Sequence, residues 1–179
     1  MNREQTMPDG GLYRPECEHD ACGVGLVVNI NGNKYHSVVE QGLCVLEHMA
    51  HRGAEGSDNK TGDGAGILVQ VPHEFILLNG IPVPEKGRYG VGMVFLPRDG
   101  ADQQLFMQLV TEVVEEQGLR LTASRNVPVD SSILGADAAA TEPVIRQLFI
   151  VGCDDRQRLE ELLYIVRKRI EFRLAGSAI

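Results

Sequence analysis

The stretch D-A-C-G-V-G-L-V-V-N-I, residues 20–30, places a single thiol at the start of an apolar run. Apolar side chains recur at every second position after Cys22, and this period predicts a β-strand over 22–30. Asn31 and Gly32 follow, a pair that favours a tight hairpin turn. The predicted strand therefore begins abruptly at the cysteine, behind a leader of different composition.

The leader, residues 1–21, combines charges, two adjacent glycines and two prolines without a helical or strand period. It also lacks the basic start and the apolar centre of a signal peptide. We interpret 1–21 as a leader and 22–179 as one domain, because chains of roughly 100–200 residues usually form a single core.

The overall composition predicts a globular protein that acts on small partners. Of 179 residues, 43% are hydrophobic and 5% aromatic, and the formal net charge is −8. Scattered basic residues on an acidic chain argue against nucleic acid or a membrane as a partner. No apolar run reaches the roughly 18 residues of a membrane span, and four irregularly spaced cysteines are too few for a disulfide framework. We expect a cytoplasmic protein with reduced thiols.

Hydrophobic periodicity predicts helices and strands along the rest of the chain. The segment 37–51 is predicted as a helix, with Gly53 as the left-handed residue after its end and a glycine-rich loop over 54–66. The other predicted elements are strands at 67–71, 89–96, 119–128 and 147–151 and helices at 101–117, ending at Gly118, and 154–173. This order predicts an α+β fold in which helices pack on sheet.

The position of Cys22 suggests a chemical reason for the leader. A thiolate is the reactive form of cysteine, and it needs a nearby base or positive charge. If the bond between Ala21 and Cys22 were cut, Cys22 would carry its own α-amine, whose unperturbed pKa of about 8 suits a base. This is the chemistry of an N-terminal nucleophile (Ntn) hydrolase. The alternative from the pattern alone is that Cys22 is a small buried apolar residue.

Several short motifs occur in a characteristic order. They are C-G-V-G (22–25), H-R-G (51–53), T-G-D-G-A-G (61–66), V-G-M-V-F-L-P (91–97), V-P-V-D (127–130), L-G-A-D-A-A-A-T-E-P-V-I-R-Q-L-F-I (134–150) and Y-I-V-R-K-R-I-E (164–171). This set resembles the class II glutamine amidotransferase domain that opens the large subunit of glutamate synthases. The resemblance implies an Ntn-hydrolase fold, a four-layer αββα sandwich with two sheets between helices.

The resemblance also implies a glutaminase site. Cys22 corresponds to the nucleophile that attacks the side-chain amide of glutamine and releases ammonia through a thioester, with its α-amine as proton shuttle. Arg52 corresponds to the family's arginine beside that cysteine, where its charge would favour the thiolate. The alternative for Arg52 is a cation that offsets the dipole of the preceding helix. Gly53 would contribute its backbone only, and we interpret Asp63 as a loop cap.

For the intact enzyme, the resemblance implies that ammonia passes to a distant site that converts 2-oxoglutarate to glutamate. FMN and an iron–sulfur cluster are implied for regions far downstream, and no cofactor is expected in this segment. The expected partners are glutamine, the remaining amidotransferase and synthase domains, and either a small NAD(P)H-oxidising subunit or ferredoxin.

Two motifs of the family have no counterpart in this sequence. An H-N-G-E-I-N type stretch for the oxyanion and an R-Y-S-T type stretch with a later aspartate for the glutamine α-groups do not occur. An oxyanion donor is worth about 10² to 10³ in rate. We therefore expect that 22–179 is a truncated, N-terminal part of the domain and that the isolated chain is inactive. The alternative is a non-catalytic module that keeps the fold for assembly or regulation.

A zinc site is a further alternative. Its soft ligands would be Cys17, His19, Cys22, Cys44, His48 and His51. Their spacing differs from that of the usual ligand pairs, so we expect no metal.

Overall fold

The computed structural model describes residues 23–50, 53, 60–62 and 64–176. The helices and strands are α1 (His36–His48), α2 (His73–Leu78), β1 (Tyr89–Leu96), α3 (Gly100–Glu116), β2 (Arg120–Asn126), α4 (Ala136–Thr141), β3 (Val144–Val151) and α5 (Arg156–Ala175), with a short 3-10 helix at Ser131–Ile133. Among the described helices, none is long and apolar enough to cross a membrane.

The described residues divide into two units. The smaller unit contains 23–50, 53 and 64–67 and is built on α1, and the larger contains 60–62 and 68–176. The architecture is mixed α and β, with one antiparallel sheet in the larger unit.

A turn precedes α1 in the smaller unit. The side-chain oxygen Oδ1 of Asn29 accepts hydrogen bonds from the backbone N–H of Asn31 at 3.0 Å and of Asn33 at 3.3 Å. Gly32 has a φ of 70°, a conformation that costs glycine little. A turn is therefore present, but the predicted hairpin is wrong, since neither 23–29 nor 32–35 forms a strand.

Two predicted strands, 22–30 and 67–71, are wrong. None of their described residues lies in a strand, and the side chains of Val24, Leu26 and Ile30 are 89%, 87% and 92% exposed. A period of two gives a chain two faces, but a strand also needs a neighbouring strand to supply hydrogen-bond partners. Within the described residues, neither segment has such a neighbour.

Helix α1 is confirmed but ends earlier than predicted. Its last residue is His48, and Met49 closes the helix with a φ of −92° by donating its N–H to the carbonyls of Val45 and Leu46. Gly53 does not have a left-handed φ, so that prediction is wrong. The N–H of Met49 pairs with two of the last four carbonyls of α1, and the helix ends there without a left-handed residue at Gly53.

The larger unit is organised around the central strand β3. The sheet order is β1-β3-β2, and both neighbours run antiparallel to β3. Its final residues, Leu148 to Val151, are all buried. The strand predicted at 89–96 is confirmed with the same bounds. Those predicted at 119–128 and 147–151 are confirmed with shifted ends.

Helices α3 and α5 cover one face of this sheet. Both predicted helices are confirmed, and each begins at an aspartate whose side chain accepts backbone hydrogen bonds, Asp99 for α3 and Asp155 for α5. Their apolar residues form a cluster with β3. The buried members are Val110, Val113, Val114, Leu119, Leu148, Ile150, Leu159 and Val166.

The other face of the sheet is covered in part by the short helix α2. The buried residues there are Ile76, Ile81, Tyr89, Phe149 and Val151. Nδ1 of His73 lies 2.9 Å from the Tyr89 hydroxyl, and burial, with a smaller contribution from Glu74, raises the pKa of Tyr89. Helices α2 and α4 were not predicted, because six residues are too few to show a helical period.

Glycines make the two chain reversals next to the sheet compact. Gly118 has a φ of 71° and ends α3 as predicted, donating its N–H to Glu115 at 2.9 Å. Gly152 has a φ of 132°, and a Cβ built there would lie 3.0 Å from the Cα of Leu119. A side chain at Gly152 would therefore push the two reversals apart.

Charged side chains join α3 to α5 at the surface. Glu116 on α3 accepts hydrogen bonds from Arg173 at 2.6 and 2.8 Å and from Arg169 at 3.1 Å, both on α5. The hydrogen bond from Arg173 is the main reason why the pKa of Glu116 is lowered. All three side chains are more than a third exposed, so salt should weaken the cluster.

Replacing Gly90 with alanine should destabilise the larger unit. A Cβ at Gly90 would overlap the Leu163 side chain of α5, with Cδ2 at 2.8 Å and Cγ at 3.1 Å, whereas nothing lies within 4 Å of a Cβ at Gly92. We expect Gly90→Ala to lower the free energy of unfolding by about 1–3 kcal/mol. Gly92→Ala, the matched control on the same strand, should change it by less than about 0.5 kcal/mol. Urea unfolding of both variants measures the difference, and equal effects would contradict the packing.

Glu116→Gln should reduce stability in a way that depends on pH. A carboxyl whose pKa is lowered by folding stabilises the protein above its unfolded pKa, ordinarily 4.5, and that contribution is lost as the pH falls through the lower folded value. The difference between wild type and Glu116→Gln in urea unfolding should therefore shrink below pH 4.5, and also in high salt.

The neighbouring Glu115→Gln is the control, since Glu115 has no ion pair within the described residues. A loss of stability that is the same for both variants would show that the pairing with α5 does not matter.

Candidate active site

The predicted site residues belong to the sequence of the smaller unit. Cys22 and Arg52 lie outside the described residues, as does Asp63, and Gly53 is described. What the structure gives is the geometry of the segments that follow Cys22 and precede Arg52. These segments are residues 23–30 and helix α1.

Gly25 brings the segment after Cys22 close to α1. A Cβ built on Gly25 would overlap Cγ1 of Val45, in the last turn of α1, and would lie 3.5 Å from the Val45 Cβ. On either side of Gly25, the side chains of Val24 and Leu26 are almost fully exposed. The sequence interpretation overlooked this contact, and the available signal was the second glycine of C-G-V-G.

Gly53 lies just beyond the end of α1. Its backbone N–H donates to the carbonyl of Ala50 at 3.2 Å. Because this hydrogen bond already uses the amide, a backbone role toward a ligand would fall to the carbonyl oxygen of Gly53.

Two of the soft ligands considered for zinc lie on the exposed surface of α1. Sγ of Cys44 is 3.9 Å from Nδ1 of His48, one helical turn along. The other four residues of that set lie outside the described residues. Structural zinc is held by four ligands, and within the described part of the chain no three His, Cys, Asp or Glu side chains come together.

The larger unit contains a cavity of about 560 Å³ beside the end of β3. Arg88 and Arg120 line it, and Arg88 is paired with Asp154 at 3.4 Å. Its described lining residues all belong to the larger unit.

Comparison with known proteins finds relatives over almost the whole chain. The large chain of the NADPH glutamate synthase of Bacillus subtilis (strain 168) is 42% identical over 176 residues, which is 96% of this chain and 12% of that protein. Ferredoxin-dependent glutamate synthase 2 of Synechocystis sp. (strain ATCC 27184 / PCC 6803 / Kazusa) is 39% identical over 165 residues, 88% of this chain and 10% of that protein. The NADH glutamate synthase of Saccharomyces cerevisiae (strain ATCC 204508 / S288c) is 38% identical over 186 residues, 94% of this chain and 9% of that protein.

The chain spans about a tenth of the length of these relatives. The family model of class II glutamine amidotransferases matches residues 22–178. Since that match covers most of the sequence, the chain belongs to the class II glutamine amidotransferases.

Proposed function

We propose that this chain is the glutaminase portion of a glutamate synthase, in which Cys22 attacks the side-chain amide of glutamine. One observation supports the proposal above all: the match to the amidotransferase family begins at Cys22 and leaves residues 1–21 outside. A family boundary at that residue is what removal of a leader would produce. The family and the glutamate synthase relatives favour this function over a non-catalytic module.

The reaction proceeds through one thioester and needs proton transfers both when the thioester forms and when water hydrolyses it. Removal of residues 1–21 gives Cys22 a free α-amine, with an ordinary pKa of about 8. The amine takes the thiol proton while sulfur bonds to the amide carbon of glutamine. The carbon–nitrogen bond then breaks, and the amine passes the proton to the departing ammonia. Water attacks the thioester, which releases glutamate and restores the thiol.

Arg52 has an electrostatic role in this proposal. A fixed positive charge beside a cysteine lowers the pKa of the thiol and increases the fraction that is ionised. Guanidinium keeps its charge throughout the working pH range, so its effect would not change while the α-amine titrates.

The proposed site needs groups that residues 22–179 do not supply. The sequence contains neither the oxyanion motif nor the glutamine-binding motif of the family. Because one oxyanion donor contributes about 10² to 10³ in rate, we propose that the isolated chain is inactive. Activity would then require those groups from elsewhere in the protein.

We propose that the complete domain is a four-layer αββα sandwich. The face of the sheet opposite α3 and α5 supports this, since α2 covers only one end of it. Further along β1 on that face, Met93 is 51% exposed and Phe95 is 65% exposed. A second sheet packed there would bury both side chains.

The rest of the proposed enzyme lies outside this chain. The names of the relatives specify NADPH, ferredoxin and NADH, so the electron donor is not assigned. Ammonia would pass to a second site that forms glutamate from 2-oxoglutarate in the cytoplasm.

Iron–sulfur clusters bind through several cysteine thiolates, and the two described cysteines, Cys44 and Cys153, lie in different units. The described residues do not fit such a cluster, and FMN is likewise proposed to bind elsewhere.

The proposal is tested by the N-terminus and activity of the protein expressed from its complete reading frame. We expect the purified protein to begin at Cys22 and to release ammonia from glutamine. Cys22→Ala should retain residues 1–21 if processing is autocatalytic, and should lose ammonia release because no nucleophile remains. N-terminal sequencing, intact mass and an ammonia assay measure these outcomes.

Cys44→Ala is the matched control, because Cys44 is an exposed thiol on α1. It should leave both processing and ammonia release unchanged. Retention of residues 1–21 in the wild type, or ammonia release that survives Cys22→Ala, would overturn the proposal.

A further inference from the structure

Gly25 and Val45 connect the two stretches of sequence that carry the proposed site residues. Gly25 follows Cys22 by three residues, and Val45 precedes Arg52 by seven. Three residues of chain reach at most about 11 Å, so the position of Gly25 sets an upper limit on how far Cys22 can lie from α1. Val45 is part of α1, the helix that ends four residues before Arg52.

The contact leaves no room for a larger side chain at position 25. A Cβ there would overlap Cγ1 of Val45, while Cγ2 would lie at 3.8 Å and Cβ at 3.5 Å. The overlapping atom belongs to a β-branched side chain, which has one strongly preferred rotamer in a helix. Removing this overlap therefore requires an unfavourable rotamer of Val45 or a shift of the backbone. Gly25 does not have a positive φ, so alanine is excluded by this contact and not by backbone strain.

We infer that Gly25 is a positioning residue for the glutaminase reaction: its close contact with Val45 holds the segment that follows Cys22 against helix α1. This inference rests on the proposed function. It adds a residue that touches neither glutamine nor the reacting atoms. A displacement of about 1 Å can cost on the order of 10²-fold in rate, so a single methyl group at position 25 should affect the chemical step.

The test uses three variants of the protein expressed from its complete reading frame: Gly25→Ala, Val45→Ala and the double variant. In the double variant, the two Cβ atoms would be 3.5 Å apart, an ordinary contact. We expect Gly25→Ala to lower kcat for glutamine hydrolysis at least about tenfold, with KM changed less than about twofold. The double variant should recover kcat to within about threefold of Val45→Ala.

Gly42→Ala is the matched control, since no atom of the described residues lies within 4 Å of a Cβ at this position of the same helix. It should leave kcat unchanged. Because Val45→Ala would also relieve a loss of stability caused by the overlap, kcat is expressed per folded molecule. Thermal unfolding of each variant identifies any that fails to fold.

A second readout does not depend on turnover. The rate at which iodoacetamide alkylates Cys22, followed against pH by peptide mass spectrometry, gives the pKa of the thiol. If Arg52 is held near the thiol, Gly25→Ala should raise this pKa and the double variant should return it to that of Val45→Ala. Wild-type protein without glutaminase activity would refute the proposed function, while a shift that Val45→Ala reverses would still support the positioning role.

Two results would overturn the inference. One is a Gly25→Ala protein whose kcat and alkylation profile match the wild type. The other is a folded double variant that remains as impaired as Gly25→Ala, because the overlap with Val45 would then not be the cause.

Discussion

The larger unit depends on the pairing and burial of β3. This strand forms hydrogen bonds with β1 along one edge and β2 along the other. Its alternate side chains enter two separate apolar clusters, Leu148 and Ile150 on the side of α3 and α5, and Phe149 and Val151 on the side of α2. A strand buried on both faces must be apolar at consecutive positions, which explains the uninterrupted run at the end of β3. Loss of this strand would leave β1 and β2 without a strand partner in the described sheet.

The sequence predicts best those elements whose limits are set locally. Helix α3 begins at the capping side chain of Asp99 and ends at Gly118, and both signals lie within the segment itself. The run 22–30 has the correct period for a strand, yet its described residues form none. Strand formation depends on a partner that is distant in sequence, and a single segment carries no information about that partner. The six-residue helices α2 and α4 are missed for a different reason: they are shorter than two helical turns, so the sequence shows no helical period there.

For the candidate site, the sequence gives the chemistry and its order but not the spatial arrangement. Cys22 and Arg52 are predicted from the resemblance to the amidotransferase family, and the free amine of a processed Cys22 adds a chemical reason for the cysteine. The contact between Gly25 and Val45 could not be selected in this way, because a glycine offers no reactive group and the two residues are separated by most of α1. Glycine matters at position 25 because it has no Cβ, and only the three-dimensional structure shows that Val45 occupies the space a Cβ would need.

The two faces of the sheet differ in how they are closed. Two long, capped helices joined by the Glu116 ion pairs seal one face. On the other, α2 has no side-chain cap and is tied to the sheet through His73 and through Arg125, whose guanidinium lies 5.5 Å from the ring centre of Phe75. Burial of apolar surface is worth roughly 25 cal/mol per Å². The exposed Phe95 ring does not make this contribution, and a covering layer that buried it would stabilise the fold. A second sheet on this side would remove that loss without disturbing the helical face, and this is the physical argument behind the proposed four-layer arrangement.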